Sequence, residues 1–156
     1  MIRRAAGFTL IEMMIVVVIL SILAGILLPK TRDFRRRAIA AKAVGAMSVA
    51  RTAAYQYNEA TGGWPPSAGR GQVPAGLATY LPAGFSFAVP EFDLMWRVQN
   101  IRSGGTTTTQ QMIQVLPQND PVLCAEIGNQ LGGGRNPSLV VACGGRNGSV
   151  TLYVER

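Results

Sequence analysis

The chain has 156 residues and no histidine, and its 15 lysines and arginines outnumber 8 acids to give a net charge of +7. Without histidine there is no imidazole base, no pH switch near neutrality and no histidine metal ligand. The length fits one small domain plus a helical stalk rather than several domains.

The first element is an apolar run from Phe8 to Leu28, 21 residues interrupted only by Thr9, Glu12, Ser21 and Gly25. As a helix it covers roughly 31 Å, one hydrocarbon core. Threonine and serine hydroxyls bond back to helical carbonyls and are tolerated there. Glu12 is different. An ionisable group at membrane depth costs roughly 2.5–3.5 kcal/mol on insertion scales, so it calls for a partner. A cut between Gly7 and Phe8 would supply one, a free amine at Phe8. The preceding MIRRAAG is not the start of an ordinary secretory signal, because no apolar stretch precedes any cut site. Its small residues Ala5, Ala6 and Gly7 abut the apolar run, so a protease acting there leaves the whole hydrophobic segment in the product. A plain single-pass anchor with one tolerated acid is the competing reading.

Gly7-Phe8-Thr9-Leu10-Ile11-Glu12, followed by the apolar residues Met13 to Leu20, resembles the prepilin signature of type IV pilins and type II secretion pseudopilins. The resemblance implies cleavage between Gly7 and Phe8 by prepilin peptidase and methylation of the new Phe8 amine. It also implies an assembly role for Glu12 together with Phe8. Pro29 is similar to a family proline near the end of the buried helix; taken alone, it also marks a membrane exit or a kink. The implied setting is the bacterial inner membrane, crossed once, with the N-terminus cytoplasmic and the head outside. Membrane lipid is then the first partner. An inner-membrane assembly platform follows, and a homo-oligomeric or mixed pilin filament is the product, extracellular or periplasmic.

Lys30, Arg32, Arg35, Arg36, Arg37 and Lys42 follow the apolar run, with Asp33 the one acid among them. The positive-inside rule, read literally, places this flank in the cytoplasm. The prepilin resemblance and the cysteines argue the reverse, and we follow them. The basic cluster suits lipid phosphates before assembly, acids of neighbouring subunits or DNA afterwards, or simply a solvated helix face.

Beyond the cluster, Ile39, Ala43, Ala46, Met47, Ala50, Ala54 and Tyr57 recur at three- and four-residue spacing, an apolar stripe that should pack under the head. Gly62-Gly63 with Pro65-Pro66 stops the helix, which is expected from Phe8 to about Ala60. Trp64 to Gly84 reads as a connection with a helical turn over Leu77–Leu81. Phe85, Phe87 and Val89 alternate, as do Phe92, Leu94, Trp96 and Val98, so each set predicts a half-buried strand. Arg102 to Gln110 reads as a hairpin tip, and Gln111 to Leu116 as the returning strand.

Asp120-Pro121 predicts a capped helix, with Cys124, Ile127 and Leu131 on one face. Gly132-Gly133-Gly134 is a loop. Strands are expected over Ser138–Cys143 and at Val150, Leu152 and Val154, with a turn from Gly144 to Gly148. Cys124 and Cys143 are an even number in a chain whose bulk should lie outside the cytoplasm, so they are expected to form a disulfide pinning the short helix to the sheet.

Chemistry is sparse. Glu91, Asp93, Asp120 and Glu126 have no spacing that makes a metal loop or an acid/base pair, so no catalytic residue is assigned and no enzyme is expected. No cofactor is assigned. Calcium at loop acids such as Asp93, Asn119 and Asp120 is the one alternative, since some pseudopilins bind it, and a helix-capping Asp120 competes with it. Gly132-Gly133-Gly134-Arg135 lacks the Gly-Lys-Ser/Thr of a phosphate loop. Trp64, Trp96, Tyr80 and Tyr153 are read as packing rings rather than a ligand platform.

The expected fold is α+β and pilin-like: a long N-terminal helix, half transmembrane and half amphipathic, packed on a small antiparallel β-sheet head. Its parts are a leader at 1–7, a membrane or filament-core helix at 8–29, an amphipathic continuation at 30–61 and the head at 62–156. The expected function is a structural subunit of a type IV pilus-like filament. The alternatives are a pseudopilin of type II secretion and a minor pilin that binds DNA.

Overall fold

A single helix, α1, runs from Leu10 to Thr61, 52 residues without interruption. The computed structural model describes residues 8–103, 105–118, 120–144 and 148–154. Gly7 of the expected cleavage site, Gly104 of the hairpin, Asn119 and residues 145–147 of the last turn lie outside them. The chain divides into two compact units, Met1–Arg35 and Arg36–Arg156.

In the first unit every described side chain from Phe8 to Ile26 is exposed. Ser21 resolves its polarity locally, its hydroxyl donating to the Val17 carbonyl at 2.7 Å. Pro29 lies within α1 and brings no N–H to the Gly25 carbonyl one turn back.

In the second unit α1 presents Ala40, Ala43, Met47, Ala50, Ala53 and Ala54 to the core, each at most 2% exposed. Five of these six are alanines, so the helix lies close on the sheet while keeping the strongest helix propensity. Ile39, Ala46 and Tyr57 of the expected stripe are half-buried beside them. Gly62 ends the helix in a left-handed conformation, φ 73°, with its N–H bonded to the Asn58 carbonyl at 2.8 Å. Only a residue without Cβ takes that cap at no steric cost.

The sheet has five antiparallel strands: β1 (Ala88–Val89), β2 (Phe92–Ser103), β3 (Thr106–Pro117), β4 (Leu139–Ala142) and β5 (Ser149–Tyr153), in the order β1-β2-β3-β5-β4. Period-two alternation sends Phe92, Leu94 and Trp96 of β2, Ile113 and Val115 of β3, and Val150 and Leu152 of β5 into one core with the α1 alanines. Trp96 is buried, its indole N–H donating to the Pro65 carbonyl at 2.9 Å. The connection from α1 covers the outer edge of β2. Ala68 and Gly71 donate to the carbonyls of Trp96 and Leu94, and the Ser67 hydroxyl bonds both backbone groups of Val98. An unpaired sheet edge is closed in this way. A 3-10 turn over Leu77–Tyr80 buries Leu77.

Two expectations are corrected. The strand expected over Phe85–Val89 is reduced to Ala88–Val89: the Phe85 N–H turns back to the Pro82 carbonyl at 3.0 Å, and the Ser86 hydroxyl bonds within its own segment, to Ala88. Phe87 is still buried; its alternation reports burial, not strand. The tip expected over Arg102–Gln110 is instead mostly strand, since Ser103 pairs with Thr106. Threonine is a good strand former, and cross-strand bonds hold the end: Thr109 donates to Asn100 at 2.9 Å and Arg102 to Thr107 at 3.4 Å. The described turn residue is Gly105, at φ 87°.

α2 spans Pro121–Gln130 and buries Leu123, Cys124 and Ile127. Asp120 is its cap: one carboxylate oxygen accepts from the backbone N–H of Val122 and of Leu123, both at 3.0 Å. α2 is stapled to the end of β4 by the disulfide Cys124–Cys143, with Cα atoms 5.6 Å apart. Leu131 falls just past the helix as its C-cap.

Candidate assembly segment

Thr9 starts α1. Its hydroxyl accepts from the Glu12 backbone N–H at 3.3 Å, and its carbonyl accepts from Met13 at 3.3 Å. Thr9-x-x-Glu12 is therefore the sequence pattern of a capping box, in which a glutamate three residues after the cap favours helix initiation. Glu12 also lies in the first turn, where the positive end of the helix dipole favours a carboxylate by about 0.3–1 kcal/mol. This local role follows from the three-residue spacing of Thr9 and Glu12 alone. It stabilises the acid only weakly against a cost of about 2.5–3.5 kcal/mol in hydrocarbon. Most of the requirement for a partner remains.

No described residue pairs with the Glu12 carboxylate. Phe8, which would carry the new amine, is 73% exposed and lies two residues before α1. Around them Leu10, Ile11, Met13, Met14 and the residues to Ile26 present a largely apolar surface, none of it buried. In water such a surface forces association, whether with lipid or with other copies. α1 is long and apolar enough here to cross a membrane.

The head uses its charges for its own architecture. Asp120 gives its second carboxylate oxygen to Arg36 at 3.3 Å, Glu91 meets Lys42 at 3.4 Å, and Asp93 meets Arg70 at 2.6 Å. The acids named for calcium are thus separately engaged, and among the described residues no group of three or more acids, cysteines or histidines could hold a metal ion. Trp64 stacks against Trp96 at 6.1 Å and edge-on to Tyr55 at 5.4 Å, and Tyr57 meets Tyr80 at 5.9 Å. These rings knit the connection to α1 and the sheet. Two clefts, of about 280 Å³ and 270 Å³, lie beside Gly128 and Val141 and beside Thr52 and Tyr80; neither is lined by an acid or a basic residue.

Residues 2–28 match the family described as the prokaryotic N-terminal methylation motif. The chain is 50% identical over 52 residues to a fimbrial protein of Pseudomonas aeruginosa, which covers 33% of this chain and 34% of the relative. It is 38% identical over 73 residues to a fimbrial protein of Neisseria meningitidis serogroup B, 47% of this chain and 41% of the relative. A type IV major pilin protein of Neisseria gonorrhoeae is 41% identical over 59 residues, 38% of this chain and 36% of that one. The matches thus span only about a third to two-fifths of the relatives' length. No solved structure matches the chain. The methylation motif, the long N-terminal helix and the antiparallel sheet behind it give a pilin-like α+β chain.

Proposed function

We propose that the chain is the structural subunit of a type IV pilus-like filament. The observation that carries this reading is the contrast along α1. Its second half is buried against the sheet, while its first half carries the methylation motif and leaves every described apolar residue uncovered. A head that folds on its own core has no use for that surface; a polymer does. In the proposed sequence of events the chain sits in the inner membrane through Phe8 to Leu28, with the head outside. Prepilin peptidase cuts after Gly7, and the Phe8 amine is methylated. An assembly platform then lifts subunits into a fibre in which apolar stalks exchange lipid contacts for helix contacts. There the amine of Phe8 and the carboxylate of a neighbour's Glu12 neutralise each other. Either charge left single in the apolar core would oppose burial. A heterologous contact of this kind that does not close into a ring propagates as a fibre.

The names of the relatives, fimbrial protein and type IV major pilin, are the reason to place the pilus ahead of a secretion pseudopilin. The test is mass spectrometry of the mature N-terminus combined with electron microscopy of sheared filaments. A methylated Phe8 at the start of a filament-borne chain is expected. Gly7→Val should abolish processing, because only a very small residue fits before the scissile bond. A chain that still begins at Met1 and is dispersed as single molecules would defeat the proposal.

A further inference from the structure

We propose that Arg32 and Arg35 form a phosphate-binding collar for anionic phospholipid headgroups where α1 leaves the membrane. The proposal rests on the anchored topology described above and adds a lipid class and the residues that select it. Six cations lie between Lys30 and Lys42 with one acid, Asp33, among them. A flank so basic is unfavourable on the outer side by the positive-inside rule, so something on that side must compensate it.

The head compensates two of them, Arg36 through Asp120 at 3.3 Å and Lys42 through Glu91 at 3.4 Å. Arg32, Arg35 and Arg37 are exposed, and among the described residues no acid pairs with any of them; Arg32 and Arg35 are the two nearer the apolar run. They follow Leu28 by four and seven residues, about 6 and 10 Å along the helix. The headgroup layer is about 5–8 Å deep, and an arginine stem reaches back over the remaining distance. Three residues apart, the two guanidinium groups are neighbours on the helix surface. Each presents a planar donor fork that matches a phosphate. Phe34, 68% exposed, lies between them in sequence and leaves an apolar ring uncovered at the same level of the helix. Adjacent positive charges without a partner acid favour a headgroup with net negative charge over a zwitterionic one. The collar would fix the depth of the subunit before extraction, and extraction would have to break it.

The test uses the full chain and the double variant Arg32→Gln/Arg35→Gln, each in vesicles of phosphatidylcholine alone or mixed with phosphatidylglycerol. Electron paramagnetic resonance of spin-labelled lipid reads which headgroup is held beside the protein. The wild-type chain should enrich phosphatidylglycerol over phosphatidylcholine on the order of fivefold at low salt, less at high salt, and the double variant should show no preference. Equal enrichment by both chains, or none by either, overturns the proposal. Release of the labelled lipid by inorganic phosphate, but not by chloride of equal ionic strength, assigns the site to free phosphate and overturns the lipid. A chain that fails to float with either vesicle refutes the anchored topology itself; one that floats without headgroup preference refutes only the collar.

Discussion

One substitution separates the capping role of Glu12 from the role proposed for it in assembly. As the third helical residue after Thr9 it belongs to a capping pattern that glutamine serves as well as glutamate. As a charge it would need a counter-charge in the apolar core of the proposed filament. Glu12→Gln should therefore keep helix initiation, insertion and cleavage after Gly7. It should lose filaments almost completely, because removing one partner of a buried pair costs about 3–5 kcal/mol. Filament yield measured beside the amount of processed subunit checks this; normal yield would end the charge-pair account. Asp120 admits the same dissection. Its two oxygens do different work, one capping α2 and the other meeting Arg36. An asparagine caps a helix well without carrying a charge, so Asp120→Asn should cost less than about 1 kcal/mol, the scale of a part-exposed ion pair. Asp120→Ala should cost about 1–2 kcal/mol more through the lost cap. Denaturant unfolding of the two variants gives the comparison, and equal losses would deny the cap its importance.

At the scale of elements, α2 is secured to the sheet by a covalent staple and a close approach. Cys124 and Cys143 close a loop with a sequence separation of 19, worth about 3 kcal/mol in the chain-entropy model. Replacing both by serine should lower the melting midpoint of the head by roughly 10 °C or more. Calorimetry reads this directly, and an unchanged midpoint would mean that the packing of Leu123 and Ile127 suffices. Gly128 is the close approach: a Cβ there would stand 2.8 Å from a methyl of Val141, so α2 lies on β4 only because that position is bare. The β2–β3 hairpin behaves differently along its length. Near the core its inner residues Trp96 and Ile113 are buried, whereas Asn100–Arg102 and Thr106–Thr109 are exposed, and β5 pairs β3 only over Met112–Val115. A two-stranded ribbon by itself is marginal in water. Backbone amides of residues 100–103 and 105–109 should exchange with solvent at least about a hundredfold faster than those of 112–115. Uniform protection along the ladder would show that another layer supports the ribbon.

At the scale of the whole chain, the core is drawn from Ala40 to Val154, and the unit that contains it begins at Arg36. A chain starting there should be soluble and melt cooperatively, within a few degrees of the full chain in detergent; aggregation or a broad transition would mean that the first unit contributes to the fold. Much of this could be read from the sequence. The apolar span, the alanine stripe, the stop at Gly62, the Asp120-Pro121 start of α2 and the alternation in β2 and β5 all depend on residues within about four positions of one another, and local spacing determines them. The Thr9–Glu12 cap is equally local, although an acid at membrane depth points first to a distant partner. Where local pattern misled, at Phe85–Val89 and in the threonine run, the outcome turned on which backbone groups found partners, Phe85 with Pro82 in one case and β2 with β3 in the other. Tertiary structure alone decided the rest. It set the strand order that inserts β5 between β3 and β4, the reach of Arg36 to Asp120 across 84 residues and the bond from the Tyr55 hydroxyl to the Val154 carbonyl across 99. It also decided the use of three head acids as structural counter-ions, which sorts the cations into those already matched and those left for a partner. The reason is that a pairing between distant residues is chosen by which surfaces the completed core brings together, and neither residue carries that information alone.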